Sequence, residues 1–364
     1  MPAFLFLGDI VGRPGRQAAI AHARQLREAH DLKWIIANAE NAAGGAGLTA
    51  AIAKELVASG FDALTLGDHV WDQRNFDSEI DSLEQVCRPA NLPKDCPGRR
   101  WLLLEGGDCK LAVFTLMGRT FMKGPVDCPF AVADALLEEI GAQADAILVE
   151  VHAETTSEKI ALGRYLDGKV TAVLGTHTHV PTADAALMPA GTAYQTDVGM
   201  SGPYDSVIGR EVNAVIQAQR DGMKRKLPVA TGDVRLVGSI IHFEIGSRTA
   251  SSIIPFCQHC LQPVAFRAGY KGSTLDIGKL SNMATHMKTT IDIADNLLIR
   301  AKARAQKRKI TLRSLIEESL ASTLEKPLPK KQVTPITFGG KGLSREYNDA
   351  SWEKIRDSYT SQNI

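Results

Sequence analysis

Short apolar runs alternate with helical patterns over the first 250 residues or so. AFLFLGD (3–9) predicts a buried strand, followed by a turn and a helix over Arg16–His30 with Ala19, Ala23 and Leu26 on one side. KWIIAN (33–38) predicts a second strand, Thr49 the N-cap of a helix reaching about Ser59, and DALTL (62–66) a third strand. Further strands are predicted over LAVFTL (111–116), DAILVEV (145–151), VTAVLG (170–175), TAYQT (192–196) and VRLVGSIIHFEI (234–245). Continuous apolar strands separated by helices point to an α/β architecture with sheet covered on both faces. The last strand alternates, which predicts a half-exposed antiparallel edge.

Around residue 250 the texture changes, and a first domain over 1–250 gives way to a connector over 251–286 without a long periodic segment. Residues 287–326 begin a new pattern. An alternating stretch (Thr289, Ile291 and Ile293 against Lys288, Thr290 and Asp292) leads into two amphipathic helical runs, with Thr311 as N-cap of the second. Residues 327–364 are rich in Pro, Lys and Gly at first and end with Tyr347, Trp352 and Tyr359, the texture of a flexible tail that folds on a partner.

Composition changes little of this. Apolar residues make up 44% and charged residues 23% of the 364, with a net charge of +1, so any basic surface is local. No segment approaches the roughly 20 apolar residues of a membrane span. The opening MPAFLFLGDIV lacks a basic start and meets Asp9 early, unlike a secretory signal. Six cysteines in a chain of this length do not form a disulfide framework, and a reducing cytoplasm is the expected compartment.

The polar residues at the predicted strand ends carry the candidate chemistry. Asp9 follows the first strand, Glu40 and Asn41 the second, Asp68 and His69 the third, His152 ends DAILVEV, and His177 and His179 follow VTAVLG. Ligands in α/β sheets gather outside the carboxyl ends of the strands, so these residues are expected to converge. A spacing of two on an extended segment points His177 and His179 the same way. Carboxylate, amide oxygen and imidazole together suit Mn, Fe or Zn better than Ca or Mg. GDIVGRPGR lacks the spacing of a dinucleotide fingerprint and GGAGLT the ending of a P-loop.

The motifs LGDIVGRPGR, ANAENAAGG, Gly67-x-His69-x-x-Asp72, RPAN, GRTFM, VHAETTSEK, GTHTHVPTAD and TDVGMSGPYDS run in order over the first domain. With them the chain resembles the YmdB-type branch of the calcineurin-like metallophosphoesterases. The resemblance implies a calcineurin-like sandwich with helices flanking the sheets. It also implies two divalent or trivalent transition-metal ions, iron or manganese, in a phosphodiesterase site. Asp9, Glu40, Asn41 and His179 would hold one, and Glu40, Asp68, His152 and His177 the other. His69 would be the non-ligating acid that protonates the leaving oxygen. Two such ions activate a water and stabilise charge on the phosphoryl oxygens. Phosphodiesters, with 2′,3′-cyclic nucleotides as the class, are the implied substrates. The family carries asparagine where this chain has Asp68. With two divalent ions, Asp9 and Glu40 leave the core at about +2 and Asp68 lowers it to about +1, which strengthens metal binding and weakens attraction for phosphate.

Residues 287–326 are similar to ribbon-helix-helix antitoxins of the VapB type. That resemblance implies a dimerising unit, hence a homo-oligomer, whose paired strands read a DNA operator through Lys288, Thr290 and Asp292, with the tail as a toxin-binding segment. Nine basic against five acidic residues give the segment +4. Two readings follow: a phosphodiesterase with a DNA-binding appendage, or a DNA-binding antitoxin-like regulator whose metallo-domain is impaired or only senses a nucleotide.

Overall fold

The apolar runs become strands because each is buried on both sides. The computed structural model describes residues 1–260 and, beyond them, residues 301, 304–308, 311 and 315. In chain order the strands are β1 (Ala3–Leu7), β2 (Asp9–Ile10), β3 (Trp34–Asn38), β4 (Ala63–Thr65), β5 (Val86–Cys87), β6 (Leu102–Glu105) and β7 (Lys110–Met117). They continue with β8 (Ala146–His152), β9 (Ala172–Thr176), β10 (Ala186–Leu187), β11 (Ala193–Gln195), β12 (Met200–Asp205), β13 (Gly232–Phe243) and β14 (Ala250–His259). The helices are α1 (Gly12–Ala29), α2 (Ala50–Ser59), α3 (Phe76–Glu79), α4 (Pro129–Ile140), α5 (Thr156–Leu166) and α6 (Val212–Asp221).

Two sheets result. One runs β2-β12-β13-β1-β3-β4-β5 with β14 paired to β13, and the other runs β10-β11-β9-β8-β7-β6. Alternation within β1 explains the layering. Phe4 and Phe6 pack between the sheets with Trp34, Ile36, Leu111, Val113 and Leu148. Leu5 and Leu7 point the other way, into a core with Ala19, Ala23 and Leu26 of α1 and Leu56 of α2. The outer face of the second sheet is covered in the same manner by Leu136 of α4 and Leu162 of α5. The result is a helix–sheet–sheet–helix sandwich, as the unbroken apolar runs require. Thr49 caps α2 as its sequence predicts, its hydroxyl accepting from Ile52 N–H at 3.3 Å. α1 begins at Gly12, four residues before Arg16, because Pro14 fits a first turn whose N–H groups have no intrahelical partner.

Two expectations are corrected. β13 is not an edge: Arg235 pairs with both Gly202 of β12 and His259 of β14, and Leu5 of β1 pairs with Ile240. Of its polar positions, Ser239 is fully buried and donates to Gln195 Oε1 at 2.6 Å. The sheet also continues to His259, into residues assigned to the connector, because β14 pairs with β13 over nearly its whole length.

The six cysteines are free thiols. Among the described residues no helix is long and apolar enough to cross a membrane. In the C-terminal part, residues 301 and 304–308 are helical, and Leu315 N–H donates to the Thr311 carbonyl at 3.1 Å, a helical-turn bond beginning at the expected cap. Lys288, Thr290 and Asp292, the strand that carries them, residues 261–286 and the tail over 327–364 lie outside the described residues.

Candidate metal centre

Four strands deliver the polar residues of the cluster to one place. Glu40 lies two residues past β3, Asp68 three past β4, His152 ends β8 and His177 follows β9 directly. One ligand atom from each of Glu40, Asp68, His152 and His177 lies within 4.8 Å of the others. His152 Nε2 stands 3.2 Å from Glu40 Oε1 and 3.3 Å from Asp68 Oδ1, and His177 Nδ1 is also 3.3 Å from Asp68 Oδ1. Gly67 makes this approach possible, since a Cβ there would fall 2.2 Å from Glu40 Oε2 and 2.3 Å from His152 Nε2.

Partners behind the rings settle which nitrogen of each faces the cluster. Thr176 Oγ1 gives its proton to Glu150 Oε1 at 2.6 Å, so towards His152 Nδ1, 2.9 Å away, it can only accept. His152 therefore donates from Nδ1 and presents Nε2 to the cluster. Glu150, which also accepts from Asn38 Nδ2 and Thr115 Oγ1 at 2.7 Å each, anchors this layer. His177 Nε2 is 3.1 Å from the half-exposed Glu154, which leaves Nδ1 for the cluster.

Asn41 and His179 meet beside this group. His179 Nδ1 faces the Ile208 carbonyl at 3.0 Å and must donate to it, leaving Nε2 as an acceptor. Asn41 gives its amide hydrogens to the Gly45 carbonyl, so its Oδ1 faces His179 Nε2 at 3.1 Å. Two acceptors face each other there, an arrangement that a cation satisfies. Asp9 is fully buried; its Oδ2 accepts from His177 N–H at 3.2 Å, while Oδ1 has no hydrogen-bond partner. An orphaned carboxylate oxygen, opposed acceptors and three imidazoles fit a transition metal.

The electrostatics agree. Burial raises the Asp9 carboxyl to about 7, helped by Glu40, Asp197 and Glu150 and opposed by His152. Burial would also raise Glu40 and Asp68, but His152 outweighs it for Glu40, and His152 with His177 for Asp68, holding both low. For His152 the carboxylates of Glu40, Asp68 and Asp9 overcome burial and raise the ring well above its ordinary value. Burial lowers His179, which favours the neutral, ligating form.

The expected parallel orientation of His177 and His179 is corrected. Both residues have positive φ, +93° and +66°, so the segment is not extended. The rings diverge, one to His152 and Asp68, the other to Asn41. This bent loop is pinned from behind. Thr178 N–H and Oγ1 donate to Asp197 Oδ2 at 3.1 and 2.7 Å, and the buried Lys159 ammonium reaches the same oxygen at 2.7 Å.

His69 sits at the margin of the cluster. Its N–H donates to Glu40 Oε2 at 3.3 Å, and its ring, about a quarter exposed, sets Nδ1 2.6 Å from Asp72 Oδ2. Asp72 stands in the Gly-x-His-x-x-Asp block, and that spacing is the signal that could have marked it as an orienting partner. Glu150 is a carboxylate inside an apolar strand, two residues before His152, which is a comparable signal. Lys123, whose Nζ lies 3.6 Å from Asp68 Oδ2, has no mark in the sequence.

Known proteins are similar to the chain over this region. The chain is 42% identical over 249 residues to the 2′,3′-cyclic-nucleotide 2′-phosphodiesterase of Bacillus subtilis (strain 168), covering 68% of this chain and 94% of that protein. It is similar to the crystal structure of a hypothetical protein from Thermus thermophilus, at 43% identity and a TM-score of 0.66 over 71% of this chain and 99% of that one. A phosphatase from Mycoplasma pneumoniae superposes with a TM-score of 0.67 at 31% identity over 71% and 93% of the two chains. The YmdB-like protein family matches residues 5–256, the stretch that contains every residue of the cluster. By that match and by the identity to its relatives, the chain belongs to the YmdB-like family.

Proposed function

We propose that the chain is a metal-dependent phosphodiesterase acting on 2′,3′-cyclic nucleotides and related phosphodiesters. The Glu40–Asp68–His152–His177 cluster with its ring tautomers preset carries this reading, and the name of the Bacillus subtilis relative supports the substrate class. Asp9, Glu40, Asn41 and His179 would hold one cation and Glu40, Asp68, His152 and His177 the other, with iron or manganese suited to so many imidazoles. When bound, the cations supply Lewis acidity that makes water nucleophilic near neutral pH and offsets charge on the phosphoryl oxygens. His69, held by Asp72, gives its proton to the departing ester oxygen as the P–O bond breaks, and the water oxygen, its own proton lost to solvent on activation, bonds to phosphorus. Asp72 keeps the ring aimed and compensates the imidazolium before transfer. Glu150 and Thr176, with Asn38, back His152 from behind the cluster.

The test is hydrolysis of 2′,3′-cyclic AMP with added Mn²⁺ or Fe²⁺, compared with His69→Ala. Turnover by the parent and its loss in the variant are expected. No turnover with either metal would overturn the reading.

For residues 287–326, the strand-helix-helix order predicted from the sequence and the charge of +4 support a dimerising, DNA-binding appendage with a toxin-binding tail. A gel shift on operator fragments from its own promoter, and its loss in Lys288→Ala/Thr290→Ala, test that part separately.

A further inference from the structure

The loop between β7 and α4 carries a side chain that the chemistry above leaves unused. Phe121 is 85% exposed, the highest value among the large apolar residues of the described chain. Its φ of +63° lies in the left-handed region that L-residues avoid. Neither feature helps folding, and backbone outliers of this kind concentrate where a ligand is handled.

The loop around Phe121 is nevertheless held firmly. At its feet Asn91 Oδ1 accepts from Met117 N–H at 2.8 Å, and Asp127 N–H donates to the Asn91 carbonyl at 2.8 Å. The Glu158 carboxylate accepts from Arg119 N–H at 2.9 Å and from Thr120 N–H at 3.2 Å. Gly118 N–H donates to the His152 carbonyl at 3.0 Å, so the loop starts against a member of the cluster. It comes back to the cluster at Lys123, 3.6 Å from Asp68. Phe121 lies along the chain between these two attachments, with an ammonium group two residues away.

We infer that Phe121 is the platform on which the base of a nucleotide substrate stacks, while Lys123 draws the phosphate towards the Glu40–Asp68–His152–His177 cluster. The inference rests on the phosphodiesterase reading and adds the recognition of the nucleobase to it. A nucleotide joins a flat π-face and an anion through one ribose, and this loop offers an aromatic ring and a cation in the same order. Stacking on one ring accepts any base, because every base has a π-face. A platform already held in place loses little freedom on binding.

Two measurements decide it. The first is the ratio of kcat/KM for 2′,3′-cyclic AMP to that for ribose 2′,3′-cyclic phosphate, which lacks the base. In Phe121→Ala this ratio should fall about tenfold, chiefly through KM, while Phe121→Trp keeps it. The second is binding of adenosine 3′-monophosphate against ribose 3-phosphate by calorimetry, which needs no turnover. The parent should prefer the nucleotide by about tenfold and Phe121→Ala should lose that preference. A parent that turns over neither ester would sink the phosphodiesterase reading alone, and the binding preference would still decide the platform. Equal losses for both compounds, no change in Phe121→Ala, or failure of Phe121→Trp to preserve the preference would overturn the inference, and the exposed ring would then belong to a protein contact.

Discussion

Thr176 Oγ1 lies 2.9 Å from His152 Nδ1 and decides which nitrogen of that ring is left for a cation. Thr176→Val keeps the volume and removes the acceptor, and it also takes a donor from Glu150. Removing the partner behind a ligating histidine weakens metal binding by about 10- to 100-fold, and we expect that loss here. Competition against a fluorescent chelator measures it. A variant that binds metal as tightly as the parent would show that the ring needs no such partner.

Asp72 Oδ2, 2.6 Å from His69 Nδ1, makes a prediction about leaving groups. A proton donor matters when the departing oxygen is an alkoxide and hardly at all when it is a nitrophenolate. His69→Ala and Asp72→Asn should therefore slow hydrolysis of 2′,3′-cyclic AMP by about 100-fold, at the lower end for general acid catalysis. Hydrolysis of bis-p-nitrophenyl phosphate should fall much less. Equal losses on both substrates would assign His69 to binding instead of proton transfer.

Metal uptake should release protons in a pattern set by Asp9 and His152. Without a cation, burial raises the Asp9 carboxyl to about 7, and surrounding carboxylates raise the His152 ring. Both groups must lose a proton to ligate, so affinity rises with pH while they remain protonated. Below about 7 two protons leave when both sites fill, one from Asp9 and one from His152; above it Asp9 is already ionised and its share disappears. Calorimetry in buffers of different ionisation enthalpy should show proton release falling by about one between pH 6 and pH 8. Asp9→Asn should remove that step. A pH-independent count would place the Asp9 proton elsewhere.

Asp68 adds a full negative charge where an amide would serve as a neutral oxygen ligand. Its carboxylate faces His152 and His177 on one side and Lys123 on the other, so the extra charge is partly compensated. Asp68→Asn should weaken metal binding and raise turnover at saturating metal, because a more positive centre attracts phosphate and acidifies water more strongly. If turnover at equal metal loading does not rise, the charge argument fails.

Much of the fold is legible because burial on two faces leaves a direct trace. The run in β1 is apolar on both faces throughout, those in β3 and β8 are so as far as Asn38 and Glu150, and Thr49 announces α2 by its hydroxyl. β13 is less legible: Gly238 and Ser239 are buried yet not apolar, since the neighbouring backbone and Gln195 come too close for larger residues. The cluster could be anticipated from strand ends, because topology alone brings Asp9, Glu40, Asp68 and His152 together. The paths of His177 and His179 could not, since they depend on positive φ values that nothing in THTH reveals. Glu150 and Thr176 act through partners more than twenty residues away in sequence, a relation that no local pattern carries.

Lys159 and Asp197 give the last prediction, which separates stability from metal binding. Both side chains are about 1% exposed and lie 2.7 Å apart. Asp197 also receives Thr178 N–H and Oγ1, and Thr178 stands between the two histidines. Lys159→Met leaves a buried carboxylate without its cation, a change that costs about 3–5 kcal/mol in folding stability. Urea unfolding of the metal-stripped protein reads this cost. In Lys159→Met/Asp197→Asn the uncompensated charge is gone, so much of the stability should come back. Metal affinity should recover less, because an asparagine has one oxygen where Asp197 uses two, Oδ2 for Thr178 and Oδ1 for Gly199 N–H at 2.8 Å, and the loop stays looser. Parallel recovery of both quantities would mean that Asp197 serves the core alone and has no part in setting the two rings.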